Sequence, residues 1–264
     1  MTAFAKRWSK PKDLAPKRRE QLRQILSKDQ VVRVDMLTRQ LGVSAATIRR
    51  DLDELEGLGE LRRVYGGAVS TGSRLEEPLF DDKTSVAAEQ KLRIGEAALG
   101  YVKPNDTIFL DGGSTVLVLA RLLKDRSNVT IVTNSLRAAA ELAGRGPRLI
   151  LVGGELRRLS QVTVGPLTRH LIEELHVDKA FMGTIGLSLE AGLTTTDPSE
   201  AYTKELVMEH AREVILLADS SKAHKVSFTR AGRLEKVRVL ITDNLMDRQL
   251  ANKLRRRGIQ VVRV

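Results

Sequence analysis

The sequence predicts an α/β protein in two parts: a winged helix-turn-helix over residues 17–70 and an open, mostly parallel α/β sheet over residues 84–264. Three observations predict this. Between Lys17 and Ala68 there follow in order a helical stretch, a turn, a serine-capped helix, a glycine stop and a basic ribbon. After Lys83 the pattern changes to short apolar runs alternating with helical ones, as strands buried on both faces of a parallel sheet require. Positive charge is also concentrated at the front. The first 70 residues hold 15 Lys+Arg against 9 Asp+Glu, and the other 194 hold 29 against 24.

Residues 1–16 carry Lys6, Arg7, Lys10 and Lys12 with Pro11 and Pro16 and no apolar period, which predicts a disordered basic arm. Residues 17–41 supply two short amphipathic helices, and Gly42-Val43 makes a tight turn. Ser44 can cap the next helix through its hydroxyl. On that helix Ile48, Leu52 and Leu55 form one buried stripe. Ala46, Arg50 and Asp53 point the opposite way, with Arg49 on the flank. The first turns therefore present Ser44, Ala46, Thr47, Arg49 and Arg50, whereas Asp53, Glu54 and Glu56 follow. Only the N-terminal half can approach phosphates, which is how a recognition helix enters a major groove. Gly57 and Gly59 end the helix. Residues 61–65 read as a strand bearing Arg62, Arg63 and Tyr65, and Gly66-Gly67 as the tip of a basic wing.

Residues 71–83 read as a linker with Gly72, Pro78 and a Glu76-Glu77 pair, whose Phe80 docks on a folded part. A helix is predicted over 85–99. Strands follow at 107–110, 129–132, 149–152, 180–182, 214–218, 237–241 and 259–262. Helices lie between most of them, at 115–123, 136–143, 167–175, 199–212 and 246–257. There is no internal repeat.

Composition excludes several function classes. The chain has no cysteine, so disulfides, thiolate catalysis and cysteine-ligated metals are ruled out. No run approaches the roughly 18 apolar residues of a membrane span, and the N-terminus shows no apolar leader. A cytoplasmic protein without membrane contact is expected. The formal net charge of +11 favours an anionic partner, and its forward bias favours DNA.

Ligands of open α/β sheets sit beyond the carboxyl ends of the strands. Those exits read Asp111-Gly112-Gly113-Ser114-Thr115, Thr133-Asn134-Ser135, Gly153-Gly154-Glu155, Gly183-Thr184-Ile185-Gly186, Asp219-Ser220-Ser221-Lys222 and Asp243-Asn244. Each alone is an ordinary turn or helix cap; together they predict a polar crevice. The first is the sharpest. Two glycines admit a ligand to the backbone, and Ser114 and Thr115 stand where free N–H groups and a helix dipole favour phosphate. Asp111 suits sugar hydroxyls, and Lys222, with Lys204, adds positive charge. The run lacks the Lys-Ser/Thr pair of an ATP-binding loop and the spacing of a dinucleotide loop, so no cofactor is expected. His170, His176, His210 and His224 stand beside no carboxylate in a defensible motif, and no metal-ligand spacing occurs.

The stretch VSAATIRRDLDELEGLGELRRVYGGA, beginning at Val43, resembles the DNA-binding domain of the DeoR family of bacterial transcription regulators. It departs from the family at Tyr65, where a histidine is common. Residues 84–264 resemble the sensor domain of the same family through DGGST at Asp111, TNS at Thr133, GGE at Gly153, FMGTIGLS at Phe181, GLTTTDPSEAYTK at Gly192 and LADSSK at Leu217. The resemblance implies a fold related to ribose-phosphate isomerase and glucosamine-phosphate deaminase. It also implies a repressor of a sugar-metabolism operon that binds double-stranded operator DNA under the control of a phosphorylated sugar. A homo-oligomer is expected, since one head buries little DNA surface. The alternative is an active sugar-phosphate isomerase or deaminase with a DNA-binding appendage, for which Asp111, Glu155 and Asp219 are the available carboxylates.

Overall fold

The structure is a computed structural model describing residues 14–29, 31–58, 60–64, 67–70, 77, 80–144 and 146–264. The chain forms two compact units, residues 1–74 and 75–264. The basic arm expected before residue 14, together with Gly59, Tyr65 and Gly66, lies outside the described residues.

The first unit runs α1 (Leu14–Asp29), β1 (Val31–Arg33), α2 (Val34–Leu41), α3 (Ala45–Gly57), β2 (Leu61–Val64) and β3 (Gly67–Ser70). Leu22, Leu37, Ile48, Leu52 and Leu55 are wholly buried and form its centre. Each such side chain contributes about 1.5–3 kcal/mol by leaving water. Ion pairs fasten α1 to α3 around this centre. Arg18 grips the buried Asp51 with two bonds, at 2.5 and 3.1 Å, and Arg19 pairs with Glu54.

The wing is a three-stranded antiparallel sheet in the order β1-β3-β2, where the sequence suggests only a hairpin. Residues 31–33, between two helices, give too short a signal to read as a strand, yet they pair with Gly67–Val69. Gly67 belongs to β3 and is not part of the tip. A β-carbon there would overlap the carbonyl of Val32, so glycine is what lets the third strand close in.

The second unit begins with α4 (Phe80–Ser85) and α5 (Ala88–Leu99). Ala87 takes a left-handed conformation, φ 55°, and splits the single helix expected over 85–99. Then come β4 (Thr107–Leu110), α6 (Ser114–Leu122), β5 (Thr130–Thr133), α7 (Leu136–Leu142), β6 (Arg148–Leu151), β7 (Glu155–Arg157), β8 (Val162–Val164), α8 (Arg169–Glu174), β9 (Val177–Met182), β10 (Gly186–Ser188) and β11 (Gly192–Thr195). The chain ends with α9 (Pro198–His210), β12 (Ala211–Leu217), β13 (Thr229–Gly232), β14 (Val237–Thr242), α10 (Arg248–Arg256) and β15 (Gln260–Arg263).

Seven strands make one wholly parallel sheet, ordered β15-β14-β12-β9-β4-β5-β6. Both faces are covered, which is why the strands read as unbroken apolar runs. Phe109, Ala180, Met182 and Leu216 turn toward α8, α9 and α10; Ile108, Leu110, Phe181 and Leu217 turn toward α5, α6 and α7. From β4 the chain winds outward through β5 to β6, then returns to lay β9 on the other side of β4. The winding reverses there, so α6 and α9 leave β4 and β9 for opposite faces of the sheet, the arrangement that leaves a crevice at the carboxyl ends. Two antiparallel additions, β7-β8 and β10-β11-β13, complete the unit.

Candidate functional site

On the first unit the candidate surface is the front half of α3. The Ser44 hydroxyl accepts the N–H of Thr47 at 3.2 Å, capping the helix. Ser44, Ala46, Arg49 and Arg50 are exposed and Thr47 is half-buried. Among the described residues neither Arg49 nor Arg50 has a side-chain ion pair. Arg63 is placed differently: it donates to Asp53 at 2.9 Å and to the carbonyl of Arg49 at 3.1 Å, tying β2 to α3. Arg62 stands in β2 opposite Val69, and Tyr65 lies outside the described residues.

On the second unit a pocket opens at the carboxyl ends of β4 and β9. Gly112, Gly113, Ser114 and Thr115 line it, as do Lys204 and Lys222. Gly112 lies flat beneath the β7-β8 hairpin, and a β-carbon there would overlap the side chain of Val162. Ser114 starts α6, so the first-turn N–H groups, which have no partners within the helix, face the pocket. Asp111 is buried and accepts the N–H of Gly183 at 2.9 Å, joining the ends of β4 and β9. Its carboxylate also pairs with the buried ammonium of Lys204. Burial works against the charged form of Lys204, but Asp111 and then Glu200 outweigh it and raise its pKa. Lys222 is pushed down by burial, against the pull of Asp219.

Of the other strand exits, Gly183, Thr184 and Ile185 also line the pocket, whereas those at Thr133, Gly153 and Asp243 do not. Thr133, Asn134 and Ser135 are buried in their own turn. Thr133 donates to the carbonyl of Leu110 at 2.6 Å, Asn134 donates to that of Thr163 at 3.0 Å, and Ser135 caps α7. Gly153, Gly154 and Glu155 are exposed at the start of the β7-β8 hairpin.

Sequence reasoning misses a charged chain that the fold assembles along the pocket wall. Arg157, on β7, reaches Glu77 at 2.8 Å, Glu200 at 3.1 Å and Asp197 at 3.5 Å. Glu77 also takes the ammonium of Lys83 at 2.6 Å and the hydroxyl of Thr196 at 2.5 Å. Burial opposes the Glu77 carboxylate, yet Lys83, then Thr196 and Arg157, hold its pKa at about 2. Burial pushes Glu200 up, against Lys204. Glu77, Lys83, Ser160, Glu200 and Thr184 all line the pocket. One signal lay in the sequence: Glu200 and Lys204 stand four apart on one helix face. Arg157 and Glu77 carried none.

A capped helix with free arginines beside a ribbon, and separately a polar pocket at a switch point, define a DNA-binding regulator with a ligand-sensing domain. Residues 18–74 match the DeoR-like helix-turn-helix domain and residues 86–244 the DeoR C-terminal sensor domain. The chain belongs to the DeoR family of transcription regulators. It is 36% identical over 249 residues to the HTH-type transcriptional regulator GlpR of Haloferax volcanii, covering 94% of this chain and 98% of that one. It is 36% identical over 230 residues to the lactose phosphotransferase system repressor of Streptococcus mutans, covering 86% and 91%. These relatives are regulators and not enzymes. Ribose 5-phosphate isomerase A of Methanocaldococcus jannaschii is similar over 52% of this chain and 55% of its own, with 23% identity and a TM-score of 0.40. That likeness lends nothing to the functional reading. Among the described residues no helix is long and apolar enough to cross a membrane, and no cluster of potential metal ligands occurs.

Proposed function

We propose that this regulator is a cytoplasmic repressor of a sugar-metabolism operon, released when a phosphorylated sugar enters the pocket at the switch point. One observation supports the ligand class above all others. The Gly112–Thr115 turn at the head of α6 shares a pocket with Lys83 and Lys222 and with the hydroxyls of Ser160 and Thr184. N–H donors and ammonium groups suit a phosphate dianion, and the hydroxyl and carboxylate groups suit a polyol. The regulated pathway of the lactose repressor relative is in keeping with a sugar signal.

On the DNA side, Arg50 points away from the buried stripe of α3 and is assigned to a base edge, Arg49 to a phosphate. Ser44, Ala46 and Thr47 border the same groove, with Arg62 and Tyr65 on the wing. Two or more heads in a homo-oligomer supply the interface that specific binding needs. Ligand and operator are then linked reciprocally: whatever weakens operator binding must itself bind the operator-bound protein less tightly.

Calorimetry with a panel of sugar phosphates and their parent sugars tests this reading. One phosphorylated sugar should bind and its parent should not, and the same compound should weaken operator retention in a gel shift. Ser114→Glu should abolish ligand binding and leave operator binding intact. If no phosphorylated sugar binds, or if the variant binds as well as the natural protein, the pocket assignment fails.

A further inference from the structure

Three lysines line the pocket, and they are not equally available. Lys204 is committed to Asp111 and Glu200, which stand on regular elements of the fold, the exit of β4 and the first turn of α9. Lys222 is the nearest to free: its neighbour Asp219 turns to accept the N–H of Ser221 at 3.0 Å. A phosphate dianion gains from each charge-assisted bond it makes, and Lys83 is the second lysine of this pocket that it can draw on. The ammonium of Lys83 is already taken, 2.6 Å from the carboxylate of Glu77. Lys83 is also fixed at its backbone. Its carbonyl accepts from the buried Lys91, which bonds the carbonyl of Val86 as well, at 2.6 Å. Phe80, one turn earlier on α4, is buried. Glu77 belongs to no helix or strand and is held by its carboxylate contacts with Lys83, Arg157 and Thr196.

We propose that Glu77 is a built-in stand-in for the anion of the effector, occupying the lysine that the effector needs until the effector displaces it. The inference rests on reading the pocket as an anion site. A dianion beside Ser114 and Lys222 shares the pocket wall with the Glu77 carboxylate. The two repel one another and compete for one ammonium group. Lys83 stays in place, so the group that yields is Glu77. That residue is the third after Arg74, where the first unit ends. Displacing it therefore acts on the stretch of chain that leads from the DNA-binding unit, and occupancy of the pocket becomes a signal there.

The test is calorimetric titration of the full-length protein with inorganic phosphate. A stand-in that fills its site nine-tenths of the time weakens ligand binding about tenfold. Glu77→Gln, which keeps the shape and removes the charge, should bind phosphate about tenfold more tightly. Thr196→Val removes one donor to Glu77 from outside the pocket lining, so phosphate binding should tighten by a smaller factor. Equal or weaker binding by Glu77→Gln overturns the stand-in and leaves the anion pocket standing. If none of the three proteins binds phosphate, the pocket reading falls and the stand-in with it.

Discussion

Replacing Lys204 by Met removes a cation at the point where the two halves of the parallel sheet meet. The side chains of Lys204, Asp111 and Glu200 are 4%, 2% and 8% exposed. Removing one partner of a buried pair strands the other charge, at a cost of about 3–5 kcal/mol. The structure places the loss toward the low end. Glu200 keeps Arg157 and Ser160, each at 3.1 Å, and Asp111 keeps the N–H of Gly183 at 2.9 Å. We therefore expect about 3 kcal/mol for Lys204→Met. Adding Asp111→Asn removes the stranded charge while leaving an oxygen for Gly183, and should restore about 2 kcal/mol. The assay is native-state hydrogen exchange at the amides of β4 and β9, which reports the opening free energy of this unit and not of the other. A loss below about 1 kcal/mol, or a double variant no more stable than the single, would refute the claim that Lys204 carries the charge balance at the switch point.

The DNA-reading face can be tested residue by residue. Arg50→Ala should cost about 1–3 kcal/mol of operator affinity and relax preference at one base pair. Arg49→Ala should weaken all sequences alike and flatten the salt dependence; gel-shift titrations in which both keep full affinity remove α3 from the interface. Ser44→Ala, losing the cap to Thr47, should lower the stability of the first unit by about 1 kcal/mol in thermal unfolding. The Glu77 carboxylate sits at about 2 in the fold against an ordinary 4.5, so its stabilisation is complete above the unfolded value and is lost as the pH falls from about 4.5 toward 2. That term amounts to at most about 3 kcal/mol. Glu200, raised by burial, acts with the opposite sign: its contribution is present below 4.5 and lost as the pH rises through its folded value. Acid unfolding of Glu77→Gln beside the natural protein separates the two, and parallel curves would show that Glu77 contributes nothing.

Local signals were legible and long-range ones were not. The cap, stripe and polarity of α3 follow from spacing within thirteen residues, and the seven strands of the main sheet announce themselves as apolar runs. β1 does not, because three residues between helices become a strand only through partners more than thirty positions away. β7, β8, β10 and β11 pair locally, as hairpins, but each is only three or four residues long, too short for an apolar period to show. At the pocket the same division holds. Asp111 through Thr115 form a contiguous motif and stand together in space. Thr133-Asn134-Ser135 reads like a second such motif, yet its side chains turn to the carbonyls of Leu110 and Thr163 and to the α7 cap instead of the pocket. Arg157, Glu77 and Glu200 come from three distant parts of the chain, and no spacing rule brings a β-hairpin, a helix and the stretch before α4 to one wall.

The ion pairs of α3 are unevenly spread along its length. Asp51, Asp53 and Glu54, which bind α1 and β2, lie at or beyond the midpoint, whereas Ala46, Thr47, Arg49 and Arg50 stand before it. One helix thus has a half that belongs to the scaffold and a half that is free to vary. A duplicated copy of such a regulator could drift to a new operator by changing a few codons for the leading turns, without first acquiring compensating changes in the frame. Divergence of target genes would then be limited by selection on the DNA sites more than by the tolerance of the protein.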